Sequence, residues 1–128
     1  MAKVLVVDDA KIMRMSIKKM LLQLGYAEVF EASSGYEAVK QYKMNKPDFV
    51  TMDITMPAHH EVNDGIDAVK QIREFDSNAK IIMITSHGEQ DKVIQAIQNG
   101  ASNYILKPLQ IDKLEDVIKK LNIVEQED

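Results

Sequence analysis

The sequence has no cysteine and no tryptophan, and only three prolines and five glycines among its 128 residues. Without cysteine, disulfides, thiolate nucleophiles and thiolate zinc sites are all excluded. The scarcity of glycine and proline, with 45% hydrophobic and 28% charged residues, is the composition of a soluble globular chain without low-complexity segments. No stretch approaches the ~18 consecutive apolar residues of a membrane span, so no membrane partner is expected. Met1-Ala2-Lys3-Val4 leads directly into a strand-like run with no cleavable apolar leader, which predicts a cytoplasmic protein. Positive charge is not in excess either. The balance of 16 basic and 20 acidic residues gives a net charge of −4, which argues against nucleic acid as the main partner.

A chain of this length fits one domain with an ordinary core. The expected domain covers 1–124, and Glu125-Gln126-Glu127-Asp128 reads as a frayed acidic tail. Within it, β-branched apolar runs alternate five times with segments of helical period, a (βα)5 pattern. Met13, Ile17, Met20, Leu21 and Leu24 recur at three- and four-residue steps and predict a first helix over about 11–24, stopped by Gly25. A short strand is expected over 28–32. Ser34-Gly35-Tyr36-Glu37 has the spacing of a capping box and opens a second helix with Ala38, Val39 and Tyr42 inward, ending before Lys46-Pro47. Ile66, Val69 and Ile72 mark a third helix. Residues 80–84 make a fourth strand, and Val93, Ala96 and Ile97 are the inward face of a fourth helix that stops at Gly100. Leu114, Val117, Ile118 and Leu121 mark the last helix. The helical stripes, including most of the eight methionines, are read as core.

Near-continuous hydrophobic strands are those of a parallel sheet covered by helices on both faces. The expected fold is therefore α/β, a doubly wound, flavodoxin-like five-stranded parallel sheet of strand order 2-1-3-4-5 with right-handed crossovers. In such a sheet, ligands bind outside the carboxyl ends of the strands. Four apolar runs end at that edge on a chemically useful group. Asp8-Asp9 follow Val4-Leu5-Val6-Val7, Asp53 follows Phe49-Val50-Thr51-Met52, Thr85 follows Ile81-Ile82-Met83-Ile84, and Lys107 follows Tyr104-Ile105-Leu106. Three carboxylates, a hydroxyl and an ammonium are thus expected to converge.

Carboxylates held a few ångström apart force at least one pKa upward unless a cation intervenes. Mg²⁺ meets this need with few carboxylates, retained waters and a substrate phosphate. Three aspartates, Mg²⁺ and Lys107 sum to zero charge. A dianionic phosphoryl group on Asp53 would leave the site about one unit short of neutral. The constellation therefore suits an acyl phosphate, with an aspartate as nucleophile and with metal and ammonium stabilising charge.

Val7-Asp8-Asp9, Asp53-Ile54-Thr55-Met56-Pro57, Thr85-Ser86 and Lys107-Pro108 together resemble the four signature segments of response-regulator receiver domains of two-component systems. Arg14, Ala32-Ser33-Ser34-Gly35-Tyr36-Glu37-Ala38, Asp64-Gly65 and Ala96-Ile97-Gln98-Asn99-Gly100-Ala101 extend the resemblance over essentially the whole chain. Among receivers it is most similar to the single-domain, CheY-like chemotaxis type. The resemblance implies that Asp53 accepts a phosphoryl group from a phosphohistidine of a sensor histidine kinase or histidine phosphotransfer domain. It implies that Asp8, Asp9, Asp53 and the backbone carbonyl of Thr55 hold Mg²⁺, and that Lys107 pairs with the phosphoryl oxygens across a cis Lys107-Pro108 bond. Thr85 would be the switch hydroxyl and Tyr104 the aromatic that turns inward after it. Thr55 and His87, two residues beyond Asp53 and Thr85, stand where the family modulates loss of the phosphoryl group. The readout face would be the fourth helix, fifth strand and fifth helix, meeting an output protein such as a flagellar motor switch. Such a protein is a switch rather than a turnover enzyme, monomeric or dimerising on phosphorylation.

Several alternatives stand beside these readings. Asp9 alone reads equally as a helix cap. Lys107 reads as a solvent lysine, and Thr85 and Tyr104 as strand formers. Lys11, Arg14 and Lys18 share a helical face that reads as a solvated basic surface or as a phosphodonor contact. Ala58-His59-His60-Glu61-Val62-Asn63 makes the loop after Pro57 about four residues longer than the family pattern, an inert insertion or a partner or transition-metal site. An aspartyl-phosphate phosphatase of the haloacid-dehalogenase type would need a second Asp where Thr55 stands. An FMN carrier would need hydroxyls and glycine where Asp8-Asp9 would repel phosphate. A phosphorelay intermediate or phosphate sink is the competing role within the receiver class.

Overall fold

In the computed structural model, residues 2–56 and 64–121 are described. The chain runs β1 (Lys3–Val7), α1 (Lys11–Gln23), β2 (Glu28–Ala32), α2 (Gly35–Asn45), β3 (Phe49–Asp53), α3 (Gly65–Phe75), β4 (Ile81–Thr85), α4 (Gln90–Gln98), β5 (Asn103–Leu106) and α5 (Ile111–Lys120). All four strand pairings are parallel, and the sheet order is β2-β1-β3-β4-β5. The expected doubly wound fold is the observed one, with strand and helix bounds within a residue or so of those read from periodicity.

Alternation along each strand divides the core into two layers. Leu5, Val7, Val50, Met52, Ile81 and Met83 pack under α2 and α3 through Ala38, Val39, Tyr42, Ala68, Val69 and Ile72. On the other face Val4, Val6, Phe49, Ile82, Ile84 and Ile105 meet Ile17 and Leu21 of α1, Leu114, Val117 and Ile118 of α5, and Leu121 just after it. Each fully buried aliphatic side chain is worth ~1.5–3 kcal/mol in transfer free energy, so these two layers fix the register. β3 and β4 are buried at every position, as central strands covered on both faces must be.

The helix termini follow local chemistry. Ser34 Oγ accepts the Glu37 N–H at 3.1 Å as the cap of a capping box does, while the Glu37 carboxylate reaches one residue further back, to the Ser33 N–H at 3.2 Å and the Ser33 hydroxyl. α2 stops because Lys46 adopts the left-handed conformation, φ 45°, immediately before Pro47. Gly25 supplies φ 98° after α1, which a side chain would resist. Asp64 caps α3 by accepting the Ile66 and Asp67 N–H groups at 3.0 and 3.1 Å.

Two core assignments need correction. Ile97 is 43% exposed, and Ile94 joins it at 56%, because α4 meets the sheet mainly through Ala96 and Val93, too narrow a contact to cover its whole apolar stripe. Among the methionines of the described residues, Met52, Met56 and Met83 are core, whereas Met15 and Met44 are exposed. The long loop at 58–63 and its His59, His60 and Glu61, together with the acidic tail at 125–128, lie outside the described residues.

Candidate functional site

Strand register brings the chemical groups together. Val7 pairs with Met52, so Asp8 and Asp53 lie level at the ends of adjacent strands. Asp53 pairs with Ile84, which places Thr85 one residue beyond it. Thr85 pairs with Leu106, which places Lys107 one residue further. The five residues read from the strand ends therefore share one edge, level on β1 and β3 and then one step further on β4 and again on β5.

Carboxylate oxygens of Asp8, Asp9 and Asp53 all lie within 4.8 Å of one another. Asp8 and Asp53 are buried and Asp9 is exposed. Lys107 Nζ stands 3.6 Å from Asp53 Oδ1, and the Lys107-Pro108 peptide is cis. Burial raises the Asp53 carboxyl to a pKa of about 6, with the Asp8 charge adding to the rise and Lys107 opposing it. Asp8 is also raised, first by burial, against the pull of the Ala10 N–H and of Lys107. One lysine does not offset two buried carboxylates with the exposed Asp9 beside them.

Asp8 is the most informative member. Its Oδ1 accepts the Ala10 N–H at 2.9 Å, while its Oδ2 is buried with no hydrogen-bond partner among the described residues. An orphaned buried carboxylate oxygen carries a desolvation penalty that a ligand would remove. With two further carboxylates beside it and, among the described residues, no histidine or cysteine in the cluster, the donor set fits a hard, oxygen-seeking divalent cation. Asp9 does not cap α1. The cap position is Ala10, which has no side-chain cap.

Arg14 holds this edge from below, a role its place on a basic helical face does not reveal. Its guanidinium donates to the Asp8 carbonyl at 2.9 Å and to Glu31 at 3.2 Å, and Lys18 stands 3.6 Å from the same Glu31 carboxylate. Two of the three basic residues of that face are thus paired with β2. Gly65 is tied to the edge by its N–H on the Ile54 carbonyl at 3.1 Å. A Cβ added at Gly65 would collide with the Asp53 carbonyl oxygen and press on Ile54, so only glycine permits α3 to start this close to the site.

Thr85 is buried, with its hydroxyl 3.4 Å from both the Ser86 carbonyl and Glu89 Oε1. Glu89 itself was not singled out from the sequence. Its carboxylate accepts the Ser86 N–H at 2.7 Å and the Thr55 hydroxyl, and Lys92 Nζ donates to Thr55 Oγ1 at 3.1 Å. Burial works to raise the Glu89 pKa, but the hydrogen bonds from Thr55 and Ser86 and the Lys92 charge outweigh it and hold the carboxyl below its ordinary range. Beside Thr85 a groove of about 510 Å³ runs between α4 and β5, lined in part by His87, Ile94, Ile97 and Tyr104. Tyr104 faces outward, 48% exposed.

The family model for the response regulator receiver domain matches residues 4–119. The chain belongs to the response-regulator receiver family. It is 48% identical over 118 residues to the chemotaxis protein CheY of Bacillus subtilis, covering 92% of this chain and 95% of that one. It is equally 48% identical over 120 residues to the CheY of Thermotoga maritima, covering 94% and 97%. Among solved structures, that of a complex of CheX, CheY, BeF3 and Mg²⁺ from Borrelia burgdorferi superposes on 96% of this chain and 90% of that one, with TM-score 0.86 and 34% identity. This is a CheY-like receiver domain by family and fold, and no helix among the described residues is long and apolar enough to cross a membrane.

Proposed function

We propose that this receiver is a phosphorylation switch in which Asp53 accepts a phosphoryl group in a Mg²⁺-dependent reaction. The observation that carries the reading is the unpartnered, buried Asp8 Oδ2 in a three-carboxylate cluster whose Asp53 member also faces Lys107 at 3.6 Å. Asp8, Asp9, Asp53 and the Thr55 carbonyl would hold Mg²⁺, which neutralises the cluster and shields charge on the transferring group. An Asp53 oxygen attacks phosphorus, the P–N bond of a phosphohistidine breaks, and the donor imidazole leaves and regains its proton from solvent. Lys107 balances charge on the phosphoryl oxygens.

At pH 7 a carboxyl with a pKa of about 6 is already ~90% ionised, and bound Mg²⁺ ionises it further. Thr85 would then draw toward the new anion, and the outward Tyr104 would turn into the groove beside it. The protein would act as a cytoplasmic switch rather than a turnover enzyme, receiving phosphate from a sensor histidine kinase. The two CheY relatives, both chemotaxis proteins by name, support a chemotaxis role, and a flagellar-motor-type output partner is part of the proposal.

Phosphate incorporation from acetyl phosphate, read by intact mass with Mg²⁺ or with chelator, tests the chemistry. One phosphoryl group is expected in wild type with Mg²⁺, and none in Asp53→Asn or in chelator. Incorporation that survives Asp53→Asn would place the acceptor elsewhere and overturn the assignment.

A further inference from the structure

A phosphoryl group on Asp53 brings three acceptor oxygens and about two negative charges, and it must find donors at this edge. Besides Lys107 and the Thr55 backbone N–H that already faces Asp53, the donors at this edge include the Thr85 hydroxyl at the end of β4, and the Ser86 N–H and the Thr55 hydroxyl on the loops that leave β4 and β3. These last three all meet one carboxylate. Glu89 Oε1 takes the Ser86 N–H at 2.7 Å and lies 3.4 Å from the Thr85 hydroxyl, while Oε2 takes the Thr55 hydroxyl.

We infer that Glu89 is a resting-state anion that occupies the phosphoryl-binding donors of the β3 and β4 ends and must be displaced when Asp53 is phosphorylated. The inference rests on the phosphoacceptor reading of Asp53 given above. Two anions cannot share these donors without each losing hydrogen bonds to the other. The Ser86 N–H has a single proton to donate, and the Thr55 and Thr85 hydroxyls have one each. Glu89 therefore raises the threshold for forming the phosphorylated state. Because Glu89 is also the residue from which α4 starts, its release moves the first turn of α4. Lys92, on that turn, donates to the same Thr55 hydroxyl at 3.1 Å and stays close enough to receive the freed carboxylate. Glu89 is thus a positioning residue, acting through Thr55, Thr85 and Ser86 rather than on the reacting atoms.

Beryllofluoride with Mg²⁺, which places an acceptor-rich tetrahedral group on a carboxylate, is the probe. Its affinity for wild type, Glu89→Gln and Glu89→Ala is read by ¹⁹F NMR, alongside Mg²⁺ affinity alone and the ¹H–¹⁵N position of the Ser86 amide. A tightening of about two- to tenfold is expected in Glu89→Ala, the range set by the net worth of one hydrogen bond, with a smaller gain in Glu89→Gln, whose amide oxygen still accepts. Mg²⁺ affinity alone should not tighten. The Ser86 amide of free Glu89→Ala should move away from its wild-type position, and that of beryllofluoride-bound wild type should coincide with that of the bound variant. Equal or weaker beryllofluoride binding in both folded variants would show that Glu89 merely supports the start of α4 and would overturn the inference alone. Failure of wild type to bind beryllofluoride while it binds Mg²⁺ would overturn the phosphoacceptor reading, and this inference with it.

Discussion

Replacing Asp53 by asparagine should make the metal-free protein more stable, although it removes the residue at the centre of the site. Burial and the Asp8 charge lift the Asp53 pKa from 3.8 to about 6 in the folded state, while in the unfolded chain it titrates near its ordinary value. At 1.36 kcal/mol per pKa unit, a rise of about 2 units means that ionising Asp53 costs the fold ~3 kcal/mol. Because the folded pKa lies above the unfolded one, the protonated fold keeps this stability below pH ~4 and loses it as pH rises through ~6. Asparagine is a neutral mimic of the protonated acid, so at pH 7.5 it avoids the penalty. It also forfeits the Lys107 pair at 3.6 Å and leaves amide hydrogens to satisfy, which trims the net gain to ~1–2 kcal/mol. For a domain of this size that is a rise of ~4–8 °C in Tm.

The assay is urea denaturation of wild type and Asp53→Asn in chelator at pH 7.5 and at pH 4. The variant should have the higher midpoint at pH 7.5, and the gap should close at pH 4. Saturating Mg²⁺ should then favour wild type, which keeps its full carboxylate set and gains ~2.7 kcal/mol at a hundredfold excess of free metal over Kd. An Asp53→Asn protein no more stable than wild type at pH 7.5 in chelator, or a gap independent of pH, would refute the electrostatic argument.

Arg14→Ala removes the donor to the Asp8 carbonyl and the partner of Glu31. It should lower stability by ~1–2 kcal/mol and weaken Mg²⁺ binding several-fold, which titration calorimetry would detect. Gly65→Ala drives a methyl group against the Asp53 and Ile54 backbone. It should cost ~1–3 kcal/mol in thermal unfolding and slow phosphate incorporation, whereas an Ala substitution at an exposed, unstrained position should do neither.

The edge that carries the chemistry was legible because a parallel sheet converts sequence periodicity into geometry. Each apolar run has one carboxyl end, and the ends align once the strand order is known. Asp8, Asp53, Thr85 and Lys107 needed no more than that. Glu89 was not legible, because its part depends on a side chain reaching across two loops to Thr55 and Ser86, and no period links those positions. The only signal was an acid at the start of a helix, just after Gly88, where capping alone would account for it. Arg14 escaped for a similar reason. A charge on a helix surface reads as solvated unless the register of the neighbouring strand is known, and only that register brings Glu31 of β2 within reach. The outward Ile94 and Ile97 mark the opposite limit. A helical stripe shows that a face is apolar, but how much sheet lies beneath it depends on β5 being a short edge strand.

Glu89 and the outward Ile94 and Ile97 all belong to α4 and its start. Thr85 ends β4, Glu89 opens α4, and the groove flanked by Ile94, Ile97 and Tyr104 runs along that helix. The poor cover of α4 by the sheet and the anchoring of its first residue on Thr55 and Ser86 are two aspects of the same design. A helix buried as deeply as α3 could not shift in response to a single new anion, because every displacement would open a cavity at ~20–30 cal/mol per Å³. α4 has only Ala96 buried, so its position is set to an unusual degree by polar contacts at its N-terminus. Those contacts compete directly with a phosphoryl group on Asp53. On this reading a new anion at the strand ends acts on α4 through those polar contacts, against the packing of only Ala96 and Val93.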